Sequence, residues 1–96
     1  MLYIAFVKAR LESTDGVGIE ERSRRWWNEG ARPDGLKTVG LFGCVGTVSP
    51  DIFVFDADGH DDIQTMVEYW RGVADLEIHP AVDLAESFRR QGMNIV

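Results

Sequence analysis

Two side chains that could carry protons lie close together near the end of the chain. Glu77 and His79 are separated by one residue, so a strand through this region places both on the same face of a sheet. Histidine has an unperturbed pKa of about 6.5, which suits acid–base chemistry at neutral pH. In an apolar cavity, burial and mutual charge would shift both pKa values; at a dimer edge the two are ordinary polar residues. His79 is the candidate catalytic residue, and Glu77 a candidate ligand-binding residue.

The tryptophans could bind an aromatic or apolar ligand. Trp26 and Trp70 fall on the inward stripes of two predicted helices, with Trp27 beside the first, and we expect Trp26 and Trp70 to approach each other over the sheet. Tryptophan on such a stripe most often belongs to the core, but clefts between helices and sheets also bind small apolar molecules. Tyr3, in the opening strand, brings a hydroxyl near the His79 imidazole if the first and last strands pair. The ligand-binding candidates are therefore Tyr3, Trp26, Trp70 and Glu77.

The other reactive residue types do not form a recognisable site. The acidic run from Asp56 lacks the ligand spacing of a calcium loop, and Asp58 is better explained as a helix cap with Asp61 three residues later. Cys44 lies among apolar neighbours in a predicted strand, a setting typical of the core. The sequence has no zinc spacing and no dinucleotide or flavin fingerprint. We therefore expect neither a metal ion nor a cofactor.

The elements that must position these residues follow from the spacing of apolar residues and of glycine and proline. Strands are predicted at Leu2–Lys8, Leu36–Val45, Ile52–Phe55 and Leu76–Val82, and helices at Ile19–Asn28, from about Asp58 to Gly72, and at Asp83–Gln91. A turn at Gly46–Asp51 joins the two central strands. The order β-α-β-β-α-β with a short final helix predicts a ferredoxin-like α+β fold with a four-stranded antiparallel sheet, as one domain over residues 1–96.

The central strands carry apolar residues on both faces. Ile52 and Val54 alternate with Phe53 and Phe55, so neither face of the sheet is polar. Two long helices can cover only one face, and a bare apolar sheet face exceeds the apolar patch normal for a monomer. We therefore predict a homodimer that packs sheet against sheet.

Composition narrows the classes of partner and compartment. The net charge of −6 argues against nucleic-acid binding, which depends on clustered basic residues. No apolar run approaches the ~20 residues of a membrane span. A single cysteine excludes an internal disulfide framework and predicts the reducing cytoplasm.

Four segments resemble a known family: Pro33-Asp34-Gly35-Leu36-Lys37, then Asp51–Ala57, then Trp70, and finally Leu76–Asp83. They are similar to domain of unknown function 3303 (DUF3303), within the dimeric α+β barrel superfamily, and cover roughly residues 33–83. The superfamily includes cofactor-free monooxygenases, muconolactone isomerases and small polyketide cyclases. The resemblance implies the ferredoxin-like fold and a dimer, and DUF3303 itself has no assigned reaction.

Two functions are compatible with these observations. The first is binding of a small hydrophobic or aromatic molecule, with the cofactor-free oxygenation, isomerisation or cyclisation that the resemblance implies as its extension. The alternative is a non-catalytic binding or regulatory module that acts through association. A cavity of a few hundred Å³ with a convergent polar group would favour the first.

Overall fold

The chain forms two helices on one face of a four-stranded antiparallel sheet, with a third, short helix at its end. The computed structural model describes residues 1–10, 18–45 and 50–96. The strands are β1 (Leu2–Ala9), β2 (Leu36–Phe42), β3 (Asp51–Ala57) and β4 (Ala74–Pro80), and the helices are α1 (Ile19–Asn28), α2 (His60–Trp70) and α3 (Leu84–Arg90). The order across the sheet is β2-β3-β1-β4. The predicted ferredoxin-like α+β fold is confirmed; the predicted loop near Ser13 and residues 46–49 of the predicted turn lie outside the described residues.

The register of the two central strands sorts the apolar residues onto two faces. Tyr3 lies opposite Phe55, and Ala5 opposite Phe53. All four of these residues are buried beneath α1 and α2. The residues between them, including Ile4 and its partner Val54, therefore point to the opposite face. We call that face, formed by Ile4, Phe6, Phe42, Ile52 and Val54, the open face.

An irregularity in β2 exchanges the two faces of that strand part-way along its length. Thr38 pairs with Phe55 and Gly40 with Val54, so the residue between them has no partner in β3, as in a β-bulge. Beyond this point Leu41 faces the helices and Phe42 the open face, where its ring lies over Gly40. The strand also ends at Phe42 rather than at Val45. The predicted core position of Cys44 is therefore wrong: this cysteine follows the strand and is exposed.

Backbone geometry sets the ends of the helices more than side-chain caps do. The residue before α2 is Gly59, in an extended conformation and without a side-chain cap, so the predicted Asp58 cap is wrong. Asp61 and Asp62 lie in its first turn, where their charges favour the helix dipole. Asp83, by contrast, accepts a hydrogen bond of 3.0 Å from the Glu86 amide and caps α3.

The core lies between the sheet and the first two helices. Its largest fully buried side chains are Trp26, Leu36, Phe55, Met66 and Val73. Each large apolar side chain buried in this way stabilises the fold by about 1.5–3 kcal/mol. Trp26 belongs to α1 and Met66 to α2, so each helix is held on the sheet by one central residue.

A close contact between the turn before β2 and the start of α2 requires a glycine. A Cβ atom at Gly35 would lie 2.1 Å from Asp62 Oδ2 and 3.0 Å from its Cγ. The Gly35 carbonyl also accepts a hydrogen bond from the Asp58 amide at 3.3 Å. The turn before β2 is therefore joined by its backbone to the segment between β3 and α2, and it contacts α2 through the Asp62 side chain.

We expect Gly35→Ala to lower the free energy of unfolding by about 1–2 kcal/mol, because the new methyl group displaces the Asp62 carboxylate. The matched control is Gly43→Ala, since Gly43 lies outside the helices and strands and its added Cβ would make only an ordinary contact, 3.6 Å from Asp51 Oδ1. Urea denaturation of both variants measures the difference. Equal stability of the two alanine variants would contradict the close contact.

Candidate functional site

A cleft opens on the helix side of the sheet, between α1, α2 and the ends of β1 and β3. Its volume is about 160 Å³. Its lining is largely apolar and includes four aromatic residues, Trp26, Trp27, Phe53 and Trp70. Two polar residues also line it, Ser23 from α1 and Asp51 from β3. An apolar cavity of about 150 Å³ in another protein binds benzene, so this cleft has room for one aromatic ring.

The two helices bring their tryptophans together, as predicted. The ring centroids of Trp26 and Trp70 are 5.6 Å apart, with an angle of 56° between the planes. Tyr69 lies 5.2 Å from Trp26 and 5.1 Å from Trp70, edge to face. Such distances and angles are typical of favourable aromatic pairs. One side of the cleft is therefore formed by Trp26 and Trp70, and Tyr69 packs against both rings outside the lining.

Trp27 supplies a second side of the cleft, which the sequence analysis did not assign to the site. Its ring meets Phe53 edge to face at 5.8 Å, and 40% of its surface is exposed. The Arg32 guanidinium lies over the same ring, with Cζ 5.9 Å from the centroid, and donates a hydrogen bond to the Leu36 carbonyl. The sequence could have predicted this position, because consecutive residues on a helix are about 100° apart. Trp27 therefore borders the same buried stripe as Trp26.

Asp51 is the second residue that the sequence analysis missed. It is the first residue of β3 and pairs with Val7, so it shares the helix side of the sheet with Phe53 and Phe55. The alternation of residues 51, 53 and 55 could have revealed this placement. Its interpretation as part of a turn concealed it.

A reciprocal pair of hydrogen bonds joins the helices that flank the cleft. The Tyr69 hydroxyl donates to the Arg22 carbonyl at 2.7 Å, while the Arg22 guanidinium donates to the Tyr69 carbonyl and lies over the Tyr69 ring, with Cζ 5.6 Å from the centroid. Burial raises the pKa of Tyr69, and the Arg22 charge opposes part of this rise. The pair fixes the spacing of α1 and α2, and with it the width of the cleft.

Tyr3 lies beneath α2 and does not line the cleft. Its ring stacks on Phe55 at 5.6 Å, and only 8% of its surface is exposed. It borders a more open depression between α2 and β4, of about 530 Å³, together with His60 and Ile78. Tyr3 is thus separate from the group of tryptophans.

Glu77 and His79 lie on the open face. β1 and β4 do pair, but His79 is opposite Ile4 and Glu77 opposite Phe6, on the face away from Tyr3. The expected convergence of the Tyr3 hydroxyl and the His79 imidazole beneath the tryptophans therefore does not occur. His79 Nε2 is 3.7 Å from Glu77 Oε2, and its ring meets Phe6 edge to face at 6.3 Å.

In residues 1–10, 18–45 and 50–96, no group of three or more histidine, cysteine, aspartate or glutamate residues could hold a metal ion. No helix in the described part of the chain is long and apolar enough to cross a membrane.

Comparison with known families extends the similarity beyond the segments identified in the sequence. The family model described as Domain of unknown function (DUF3303) matches residues 1–90. The match includes β1, α1 and α3, and the predicted family is confirmed. No curated protein matches the chain. The fold is consistent with the dimeric α+β barrel superfamily.

We expect Tyr69→Phe to lower the free energy of unfolding at pH 7 by about 0.5–1.5 kcal/mol through loss of the hydrogen bond to Arg22. The matched control is Tyr3→Phe, because the Tyr3 hydroxyl forms no hydrogen bond within the described chain.

The same variant tests the raised pKa of Tyr69. The unfolded chain releases the phenolic proton from about pH 10, whereas the folded chain holds it to a higher pH. This contribution to stability is therefore complete below about pH 10 and is lost as the pH rises through the folded pKa. In urea denaturation from pH 8 to pH 11, the free energy of unfolding should fall less for Tyr69→Phe than for the unsubstituted protein. Identical pH profiles of the two proteins would contradict the raised pKa of Tyr69.

Proposed function

The chain belongs to the DUF3303 family. We propose that it binds a small aromatic or apolar molecule of about one ring in the cleft between its helices and its sheet. The observation that carries the proposal is the cleft itself, with a volume of about 160 Å³ and a lining of three tryptophans and Phe53. Ligand sites are typically concave and mostly apolar, with a few polar groups that fix orientation.

The size of the cleft limits the class of ligand. It matches the cavity of about 150 Å³ that accepts benzene, and it is smaller than the ~300 Å³ at the lower end of drug-sized pockets. A ligand of eight to ten non-hydrogen atoms gains at most about 1.5 kcal/mol per atom and usually much less. We therefore expect dissociation constants between about a micromolar and a millimolar.

The tryptophans stabilise a bound aromatic ligand by more than the burial of its apolar surface. Trp27 is partly exposed and meets Phe53 edge to face, so a ring that enters beside it finds both a ring face and a ring edge. Aromatic pairs of this kind contribute about 0.5–1.5 kcal/mol in addition to burial. The same rings provide a fluorescence signal for binding.

The positions of the ionisable residues favour binding over catalysis by His79. A general base must lie within hydrogen-bond distance of the proton that it removes, and His79 is on the opposite face of the sheet from the cleft. Among the described residues that line the cleft, Asp51 is the ionisable one. Any proton transfer in this cleft would use Asp51 in place of His79.

A second proposal, association into a homodimer, is supported by the open face. Phe42 on this face is 58% exposed, and its ring covers Gly40, which leaves a flat apolar surface. The other residues of this face are only partly buried in the single chain: Ile4, Phe6, Ile52 and Val54. A second copy that covers the face would remove more of their apolar surface from water.

The end of the chain adds apolar surface of the same kind. No residue of α3 is buried, and exposed apolar residues precede, occupy and follow this helix: Val82, Leu84, Met93, Ile95 and Val96. A second copy that covers the open face would also enclose Glu77 and His79. A module that acts through association alone would use these surfaces and leave the cleft empty.

Binding in the cleft is tested by filling it. Ser23 lines the cleft and its hydroxyl donates to the Ile19 carbonyl at 2.7 Å, so Ser23→Leu adds apolar volume without removing a core residue. We expect toluene and phenol to quench the tryptophan fluorescence of the unsubstituted protein with saturation, and Ser23→Leu to weaken binding by at least about tenfold, because the new side chain occupies the space of the ring.

The control for this experiment is Thr65→Leu. Thr65 is exposed on α2 and makes the same type of hydrogen bond, to the Asp61 carbonyl at 2.9 Å. We expect Thr65→Leu to bind the probes like the unsubstituted protein. If neither probe binds the unsubstituted protein, or if both leucine variants bind equally well, the proposed ligand site is wrong.

The homodimer is tested with Phe42→Lys, which places a charge on the open face, within the proposed interface. We expect light scattering after gel filtration at micromolar concentration to give about twice the chain mass for the unsubstituted protein and one chain mass for the variant, since an unpaired buried charge is costly. Val67→Lys, on the exposed side of α2, should remain dimeric. A monomeric unsubstituted protein would refute the proposal.

A further inference from the structure

The charge inside the cleft points to the chemical class of its ligand, an inference that rests on the proposed function. We infer that the cleft selects a small aromatic amine, bound as a cation, and that Asp51 recognises the ammonium group. Asp51 is the one charged residue among the described residues that line the cleft. The ring of the ligand would lie among Trp26, Trp27 and Trp70.

The Asp51 carboxylate is available to a ligand. No described residue donates a hydrogen bond or forms an ion pair with it, and the residue itself is exposed. The nearest residue on the neighbouring segment is Gly43, where an added Cβ would lie 3.6 Å from Asp51 Oδ1. Because Gly43 has no side chain, nothing at that position covers the carboxylate.

The position of Asp51 directs its charge toward the cleft. It pairs with Val7 at the end of the ladder between β1 and β3, and Val7 also lines the cleft. The backbone of β3 therefore fixes which side of the sheet the carboxylate occupies. An ammonium group that enters at this end meets the carboxylate while its ring reaches Phe53, two residues further along the strand.

The second polar group of the cleft also favours a ligand that donates hydrogen bonds. The Ser23 hydroxyl already donates its proton to the Ile19 carbonyl, so only its lone pairs remain free. Ser23 and Asp51 thus both offer acceptors. A ligand carboxylate would find repulsion at Asp51 and no matching donor at either group, whereas an ammonium group can donate to the acceptor that it meets.

The aromatic lining stabilises a cation as well. Tryptophan is the best of the aromatic side chains at attracting a cation to its face. The Arg32 guanidinium lies over one face of Trp27, so a ligand cation would use another indole face. The net charge of −6 raises the local concentration of small cations around the protein. Carboxylate, indole faces and net charge therefore favour the same class of ligand.

The experiment uses three probes of nearly equal size: 2-phenylethylamine, 2-phenylethanol and phenylacetate. Their binding is measured by quenching of tryptophan fluorescence at pH 7 and low ionic strength, on the unsubstituted chain, on Asp51→Asn and on Asp34→Asn. Asp34 is an exposed residue outside the cleft, so its variant has the same net charge as Asp51→Asn. Comparison of the two variants separates the effect of the Asp51 carboxylate in the cleft from the effect of the net charge of the protein.

We expect the unsubstituted chain to bind the amine about fivefold to tenfold more tightly than the alcohol, as suits an exposed ion pair, and the acid most weakly. Asp51→Asn should bring the amine to the affinity of the alcohol and leave the alcohol unchanged, which also reports that the variant is folded. Asp34→Asn should keep the preference. Equal binding of amine and alcohol by the unsubstituted chain, or an unchanged preference in Asp51→Asn, would overturn the inference and leave the ligand site intact. Absence of binding by all three probes would refute the ligand site, and the inference with it.

Discussion

The structure depends on a central strand that is apolar on both sides. Phe53 and Phe55 of β3 face α1 and α2, while Ile52 and Val54 face away. β3 and its neighbour β1 lie in the middle of the sheet, where burial of apolar side chains stabilises the fold. The helices shield one face. On the other face Ile4, Phe6, Ile52 and Val54 remain partly exposed in the single chain.

On the helix side, aromatic packing is tight in one direction and incomplete in another. Trp26 and Met66 are nearly fully buried and hold the helices on the sheet, and the hydrogen bonds between Arg22 and Tyr69 set the distance between the helices. Beside the cleft, the rings of Trp27 and Phe53 meet edge to face at 5.8 Å. The cleft is the space that these rings leave open. Aromatic rings are rigid and cannot collapse to fill such a space as flexible side chains can.

The two faces of the sheet separate the residues of the two proposed functions. The tryptophans and Asp51, on which the proposed ligand site rests, lie on the helix side. Phe42 and Phe6, on which the proposed association rests, lie on the open face. Glu77 and His79 belong to the second group.

The sequence by itself determined the element order and the class of fold. The apolar runs of β1 and β3 and the helical spacing of Ile63, Met66 and Trp70 in α2 predict these elements, and the structure has the same strands and helices. The approach of Trp26 to Trp70 followed from the same periodicity, because both helices had to cover one face. The family also followed from short motifs, since these surround the turns and strand ends of this fold.

Only the tertiary structure decided which reactive residues meet. Alternation places Glu77 with His79 but does not say which face they share, and the pairing of His79 with Ile4 put both opposite Tyr3. The irregularity between Thr38 and Gly40 reversed the faces of the rest of β2, because one additional residue in a strand exchanges its two sides. Asp51 entered the cleft through the start of β3, a boundary that residue patterns define poorly. Register and strand ends depend on contacts between distant segments, and those contacts exist only in the folded chain.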